Sequence, residues 1–205
     1  MAIYGVVLIG AFLMGSLPTG YLVASAKGIN IKKVGSGNIG ATNVTRVMGK
    51  GWGAFVLIVD ALKGLIPVLF VKAHFGALDQ SGLYTLMAAT GVLAVAGHVF
   101  TPFLGFKGGK GIATSLGMLL GISPVLSLSM VIVWLIAFLI TRVSSVGALC
   151  AAVSMPFIAL LLFHGRPVSG IMTVFTAFMA LFILFTHREN IGRLSRGEEK
   201  AFRKR

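Results

Sequence analysis

Long apolar runs separated by short polar segments dominate this chain of 205 residues. A helix of about 20 apolar residues crosses a bilayer core, and six runs come close to that length. They are Ile3–Ser25, Gly53–Val71, Leu83–Val99, Pro124–Ile140, Val146–Phe163 and Val168–Thr186. A seventh run, Ile112–Ile122, would span only about 16 Å as a helix, and Pro124 separates it from the run that follows. The pattern therefore predicts an all-α bundle of membrane helices with one short member.

The composition supports a membrane protein and excludes a soluble one. Hydrophobic residues make up 57% of the chain and the mean hydropathy is +0.96, whereas charged residues make up only 11%. A soluble domain has about 25% charged residues and could not bury this much apolar surface. The first run lacks the basic flank and the small-residue cleavage pattern of a signal peptide. We therefore expect an integral membrane protein with a single transmembrane domain over residues 1–205.

The charge distribution predicts the orientation in the membrane. Lys and Arg number 18 against 5 Asp and Glu, which gives a net charge of +13. The cations lie at the ends of apolar runs, so the positive-inside rule accounts for them better than nucleic-acid binding does. They concentrate in the first polar loop (Lys27, Lys32, Lys33, Arg46 and Lys50) and in the tail (Arg188, Arg193, Arg196, Lys200, Arg203, Lys204 and Arg205). Both segments should be cytoplasmic, which predicts an odd number of crossings, namely seven, with the N-terminus outside and the C-terminus cytoplasmic.

The first polar loop contains the string GSGNIGATNVTR, residues 35–46. Its glycines free the backbone, and Ser36, Thr42 and Asn43 offer hydroxyl and amide groups. Arg46 offers a planar cationic fork that suits a pair of phosphate oxygens. Phosphate binding is one interpretation of this segment. Helix capping with small-residue contacts between membrane helices is the other, and the residues alone leave both open.

The second candidate segment is GHVFTPFLGFKGGKGIAT, residues 97–114. Gly108, Gly109 and Gly111 would let backbone N–H groups form an anion-binding nest. Lys110 adds positive charge, and a helix that begins at Ile112 would point its N-terminal dipole at the same anion. These features favour phosphate, although the GxxxxGK[ST] spacing of a Walker P-loop is absent. The alternative is a flexible interfacial loop whose lysines contact lipid head groups.

The third segment is HREN, residues 187–190. It places His187 and Asn190 three residues apart, on one face of a helix. His187 would act as a general base or as a hydrogen-bond donor to an anion, or it is merely structural. A separate pair, Asp60 and Lys63, lies inside an apolar run, where unpaired charges are costly. We expect these two residues to form a structural ion pair.

With the predicted topology the three polar segments lie on the cytoplasmic side, where they would form one surface for phosphorylated substrates. The sequence has no HExxH motif and no carboxylate cluster, so we expect no bound metal. The single cysteine, Cys150, excludes an intrachain disulfide. A membrane transporter for a phosphorylated small solute is the alternative function, although transporters usually place polar groups near the midplane and show repeats. A lipid-binding scaffold is a third.

In this order and over the whole chain, GSGNIGATNVTR, FLGFKGGKGIAT and HREN resemble the PlsY family, the acyl-phosphate:glycerol-3-phosphate acyltransferases of bacterial membranes. The resemblance implies a seven-helix enzyme of the bacterial inner (plasma) membrane with a cytoplasmic active site. It would move a fatty acyl group from acyl phosphate to the sn-1 hydroxyl of glycerol 3-phosphate. The products would be lysophosphatidic acid and phosphate, in the first acylation step of phospholipid synthesis. The resemblance also implies no cofactor and a transient contact with the synthase that produces acyl phosphate.

The matched motifs assign residue roles to this chain. The resemblance implies catalytic roles for Ser36, Arg46, Lys110, His187 and Asn190, and substrate-binding roles for Thr42, Asn43, Gly108, Gly109 and Gly111. Arg46 and Lys110 would bind phosphate and offset its charge as it leaves. Ser36, His187 and Asn190 would orient the reacting groups and donate hydrogen bonds.

The acceptor of the hydroxyl proton is the open part of this assignment. Glu189 is the acid closest to the motifs, and it resembles a residue with a structural role. A phosphate oxygen of a substrate would then accept the proton, with His187 as the less favoured general base. Transient acylation of Ser36 is a second option.

Overall fold

The computed structural model describes residues 2–201, and every regular element within this range is a helix. The α-helices in this range are α1 (Ala2–Ser16), α2 (Thr19–Ser25), α3 (Ala41–Met48), α4 (Lys50–His74), α5 (Gln80–Val99), α6 (Ile112–Ile122), α7 (Pro124–Thr141), α8 (Ser144–Phe163), α9 (Ser169–Thr186) and α10 (Arg188–Ser195). Two short 3-10 turns, Ile31–Lys33 and Pro102–Leu104, lie in the connections. The predicted tail cations Arg203, Lys204 and Arg205 lie outside the described residues. The all-α prediction is confirmed.

Six helical segments in the described part of the chain are long and apolar enough to cross a membrane. They are Ala2–Ser25, Lys50–His74, Gln80–Leu104, Pro124–Thr141, Ser144–Phe163 and Ser169–Thr186. Their outward faces carry large apolar side chains such as Ile140 and Leu161, which are 77% and 78% exposed. Such faces suit a lipid solvent, because contiguous apolar surface of this kind is rare on soluble monomers. The seventh predicted run forms α6, a separate apolar helix of 11 residues.

The first apolar run forms two helices, whereas its length predicts one. The break falls at Pro18 between α1 and α2, because proline has no N–H donor and its ring prevents the helix from continuing. The carbonyl of Leu17 at this break accepts a hydrogen bond from Lys63 Nζ of α4. The carbonyl of Ser16 accepts another from Thr101 Oγ1 at 2.6 Å. Two side chains that are distant in the sequence therefore hold the break.

The contacts divide the described chain into two compact units. The first runs to Ala77 and continues over Leu86–Ile122, and the second comprises Leu78–Thr85 and the chain from Ser123 onward. Helix α5 therefore contributes its start to the second unit and the rest to the first.

In the first unit, glycines let the helix backbones approach closely. A Cβ atom on Gly117 of α6 would lie 1.8 Å from the carbonyl oxygen of Ala61 in α4. A Cβ atom on Gly15 of α1 would lie 2.0 Å from the carbonyl oxygen of Ala94 in α5. Membrane helices use small residues in this way because packing, rather than the hydrophobic effect, drives their association.

The first unit also contains the ion pair that the sequence predicts. Lys63 Nζ lies 2.5 Å from Asp60 Oδ1, and both side chains are buried. The interpretation of these two residues as a partnered pair is confirmed.

The second unit packs α7 on α8 and α8 on α9. The buried face of α8 is made largely of small residues, including Ala148, Ala152 and Ala159, and that of α9 of larger ones such as Met172 and Met179. Alternation of small and large side chains across a helix contact fills space without voids.

Candidate active site

The side chain of Asn43 organises the first polar loop. It is buried in α3, and its Oδ1 accepts a hydrogen bond from the N–H of Ser36 at 2.8 Å. Its Nδ2 donates to the carbonyls of Asn38 at 2.8 Å, Val34 at 3.1 Å and Ile31 at 3.4 Å. One amide therefore fixes four backbone positions of the loop, which is more than the supporting contact expected from the sequence.

The second half of the first polar loop is a helix, α3, whereas the sequence predicted a loop there. It begins after Gly40 and ends at Gly49, whose φ of 92° few other residues adopt. Thr42 and Arg46 lie four residues apart and so share a face of this helix. Thr42 is exposed and Arg46 is partly buried. This exposure is what we expect of side chains that contact a substrate.

Both polar loops of the first unit rest on one apolar cluster. The cluster contains Ala24, Ile31, Ile39, Val44 and Val56, and Leu104 of the second loop packs against it. A Cβ atom on Gly20 of α2 would lie 1.9 Å from the carbonyl oxygen of Ile39, so α2 also contacts the first loop closely. The two segments that the sequence singles out are therefore neighbours in the first unit.

The structure corrects the predicted anion-binding nest in the second loop. The N–H of Gly108 donates to the carbonyl of Val99 at 2.9 Å, and the N–H of Gly109 donates to the carbonyl of His98 at 3.0 Å. These two N–H donors are therefore already bonded to carbonyls at the end of α5. Their role is to fold the loop back onto that helix.

The donors suited to an anion lie one step further along the chain. Gly111 has a φ of 82°, and α6 begins at the next residue, Ile112. The first N–H groups of a helix have no carbonyl partner within that helix and carry the positive end of its dipole. Lys110, which is partly buried, directly precedes this turn. The helix start predicted from the sequence is confirmed. The candidate phosphate site is therefore the first turn of α6, in place of the N–H groups of Gly108 and Gly109.

The third segment belongs to the second unit and joins two helices. His187 ends α9 and caps α10, and it is 3% exposed. Its Nδ1 lies 3.0 Å from the carbonyl oxygen of Ile183. A carbonyl only accepts, so Nδ1 carries the hydrogen, and in the neutral ring Nε2 is then the acceptor. This tautomer suits a group that receives a hydrogen bond from a substrate hydroxyl, whereas the protonated ring would donate.

Asn190 has a partner that the sequence analysis missed. Its Nδ2 donates to Glu199 Oε1 at 2.5 Å. The same carboxylate accepts from Ser145 Oγ at 2.8 Å and from Arg193 Nε at 2.6 Å. Glu189, the acid that the sequence pointed to, is exposed. Glu199 therefore ties the tail to α8 and α10.

The environment of Glu199 keeps it ionised. Burial by itself would raise the pKa of this carboxyl, but the hydrogen bonds from Ser145, Arg193 and Asn190 and the charge of Arg193 hold the pKa below its ordinary value. The sequence offers one signal for this contact, a glycine at position 197, two residues before Glu199. In the structure Gly197 has a φ of 69°, a conformation that favours glycine, just after α10 ends.

The structure thus places Ser36, Arg46 and Lys110 in the first unit and His187 and Asn190 in the second. Among the described residues, no group of three His, Cys, Asp or Glu side chains lies close enough to hold a metal ion.

Comparison with known proteins gives matches over nearly the whole chain. A family model described as glycerol-3-phosphate acyltransferase matches residues 5–197. A glycerol-3-phosphate acyltransferase of Geotalea daltonii is 44% identical over 199 residues, which cover 97% of each chain. One from Thermus thermophilus is 45% identical over 193 residues, which cover 94% of this chain and 92% of the relative.

Solved structures extend the similarity to the fold. The glycerol 3-phosphate form of PlsY (YgiH), an integral membrane glycerol 3-phosphate acyltransferase, matches with a TM-score of 0.88 at 38% identity. This match covers 98% of the present chain and 96% of the PlsY chain. The lysophosphatidic acid form of the same protein gives a TM-score of 0.86. The chain described here is accordingly an all-helical integral membrane protein.

Proposed function

Because the chain belongs to the glycerol-3-phosphate acyltransferase family, we propose that it acylates the sn-1 hydroxyl of glycerol 3-phosphate with acyl phosphate as the donor. The hydroxyl oxygen attacks the acyl carbon, the bond from that carbon to the phosphate oxygen breaks, and inorganic phosphate leaves. The product is lysophosphatidic acid, which begins phospholipid synthesis. An acyl phosphate is a mixed anhydride and already activated, so the reaction needs no cofactor.

Two separate segments of the first unit, each suited to bind a phosphate group, support this proposal. Arg46 follows the loop that Asn43 organises, and Lys110 stands at the start of α6. Leu104 packs the second segment against the apolar cluster under the first. A donor and an acceptor that each carry a phosphate group would account for both, since each needs its own cation and hydrogen-bond donors.

We assign the charge-stabilising roles to the two cations and the orienting roles to the polar groups. Arg46 and Lys110 bind the phosphates and offset the charge that develops on the leaving group. Ser36 and Asn190 donate hydrogen bonds to the reacting groups. Thr42 supports the first loop, and Gly111 allows the turn into α6.

For the proton of the attacking hydroxyl we propose a phosphate oxygen of a substrate as the acceptor. Glu199 is already bound to Ser145, Arg193 and Asn190, which argues against it as the base. His187, with Nδ1 held by the Ile183 carbonyl, is the alternative acceptor through Nε2. A pH–rate profile governed by a histidine, and lost in His187→Ala with substrate binding intact, would favour the alternative.

We further propose seven crossings with α6 as the short one, the N-terminus outside, and a cytoplasmic active site in the bacterial inner membrane. The basic first loop and tail support this orientation. The acyl phosphate would reach the site from its synthase by a transient contact or through the bilayer.

Phosphate release by the purified protein tests the proposed reaction. Acyl phosphate and glycerol 3-phosphate are mixed with the protein, without metal or coenzyme A, and both free phosphate and lysophosphatidic acid are measured. We expect equimolar formation of the two products, and none when acyl-CoA replaces acyl phosphate. Folded protein that forms lysophosphatidic acid only from acyl-CoA would overturn the proposed donor.

A matched pair of lysine variants links the reaction to the site. Lys110→Ala should lower kcat/KM about 100-fold or more, because a cation at the developing charge is lost. Lys72→Ala serves as the control, since Lys72 is exposed in the last turn of α4. Equal activity of the two variants would contradict the assigned role of Lys110.

A further inference from the structure

Three buried polar side chains of the first unit lie outside the machinery described so far. Asp60, Lys63 and His98 are 2%, 3% and 6% exposed. Charged groups within membrane-spanning helices are costly, and where they persist they commonly serve function. The Asp60–Lys63 pair extends to the break in the first span, because Lys63 Nζ also donates to the carbonyl of Leu17.

The ring of His98 lies between this ion pair and the second loop. On one side, its Nδ1 is 3.9 Å from Asp60 Oδ1. On the other side, a Cβ atom on Gly109 would lie 2.1 Å from His98 Nε2. The ring therefore occupies the space that any side chain at position 109 would need, which explains glycine there without invoking a ligand.

The backbone around His98 holds the same part of the loop. The carbonyl of His98 accepts from the N–H of Gly109 at 3.0 Å, and the carbonyl of Val99 accepts from the N–H of Gly108 at 2.9 Å. The next residue, Lys110, is thus attached to a backbone that is fixed by two hydrogen bonds and by the His98 ring.

We propose that Asp60, Lys63 and His98 form a positioning cluster that sets the location of the Lys110 side chain at the start of α6. The buried ion pair lies beside the imidazole and limits where the ring can move. The ring in turn packs against Gly109, and Lys110 follows in the chain. None of the three cluster residues needs to contact the substrate. The inference rests on the proposed phosphate-binding role of Lys110.

A double-mutant cycle between His98 and Lys110 tests the proposal. His98→Ala should lower kcat/KM for glycerol 3-phosphate about 10- to 100-fold, because small displacements of a catalytic group have effects of this size. In a Lys110→Ala background the same substitution should change kcat/KM by less than about twofold, since the group that it positions is gone. Binding of glycerol 3-phosphate to the detergent-solubilised protein is measured in parallel and should show the same non-additivity.

A loss of equal size in both backgrounds would overturn the positioning role while leaving Lys110 as a phosphate-binding residue. Full activity of Lys110→Ala would instead refute the role of Lys110, and the inference with it. His98→Gln, which keeps part of the volume and a polar end, should recover most of the activity lost in His98→Ala. His74→Ala is the matched control, because His74 lies exposed at the end of α4, and it should equal the wild type.

If His98→Ala does not fold, a second variant tests the same contact by changing the loop residue instead of the histidine. Gly109→Ala places a methyl group against the His98 ring and displaces the loop. It should reduce kcat/KM in the wild type and have little effect in Lys110→Ala. An active Gly109→Ala enzyme with unchanged binding of glycerol 3-phosphate would overturn the proposal.

Discussion

At the residue scale, Asn43 and Asn190 show that the partners of a side-chain amide depend on the fold. Both residues belong to polar motifs that are visible in the sequence, but the groups to which they hydrogen-bond are not. Asn43 bonds backbone groups between 5 and 12 positions away, and Asn190 bonds a carboxylate nine positions away. Such partners depend on how the intervening chain turns, so spacing alone did not identify them.

Replacement of Asn43 should damage both stability and activity. Asn43→Ala removes the acceptor of the Ser36 N–H and the donor to the carbonyls of Asn38, Val34 and Ile31. The Val34 carbonyl keeps the N–H of Gly37 as a partner, but the loop loses the side chain that joins its turns, and a buried polar group left without its partner costs about 1–3 kcal/mol. We expect a lower midpoint of thermal unfolding in detergent and at least about a tenfold loss in kcat/KM. Asn43→Asp should be no better, because a carboxylate repels the carbonyls that Nδ2 now serves.

The control for this prediction is Asn30→Ala. Asn30 is exposed and its side chain makes no capping bond to the 3-10 turn that follows. Wild-type stability of Asn43→Ala, or an equal loss in Asn30→Ala, would show that the amide does not organise the loop.

At the scale of elements, apolar run length predicted the long helices well. The run Ile112–Ile122 has the bounds of α6, and the other runs agree with their helices to within a few residues. The run pattern marked neither the short helix α3 nor the break at Pro18. Helix α3 has eight residues and a polar sequence, so neither a long apolar run nor a propensity argument marks it.

The contact between α4 and α6 should depend on glycine at position 117. Gly117→Ala places a methyl group 1.8 Å from the Ala61 carbonyl oxygen, so one backbone must move. We expect overpacking to cost about 1–3 kcal/mol, seen as a lower unfolding midpoint. Activity should also fall, because Lys110 lies two residues before α6 and would move with it.

Gly10→Ala in α1 is the matched control, since nothing lies within 4 Å of the added methyl group. Its stability should stay within about 1 kcal/mol of the wild type, or rise slightly through helix propensity. If both variants unfold at the same temperature, the close approach of α4 and α6 is not what stabilises the first unit.

At the scale of the whole molecule, the orientation in the membrane decides whether the polar segments face one compartment. The charge distribution predicts seven crossings, and this count depends on the 11-residue helix α6. If α6 does not cross, every later segment changes sides. The first loop would then face the cytoplasm while His187 and Asn190 faced outward.

Cysteine labelling distinguishes the two topologies. In a Cys150→Ser background, Arg166→Cys should react with an impermeant reagent in intact cells, and Glu198→Cys should react only after permeabilisation. Both positions are exposed in the structure. Lys33→Cys and Ala77→Cys are the internal controls, because they precede α6 and should label from the inside and the outside in either case. Outside labelling of Glu198→Cys would contradict seven crossings and the shared cytoplasmic site.

The sequence by itself determined the class of protein, the long helices, the polar segments and the family resemblance. These are local properties: run length, composition and short motifs act over neighbouring residues and are readable without a fold. Only the tertiary structure decided which carbonyls take the N–H groups of Gly108 and Gly109, where the His98 ring lies, and which carboxylate holds Asn190. Those contacts do not follow from the spacing of residues in a helix, because each depends on how the intervening chain turns, on close packing and on the pairing of every buried polar group.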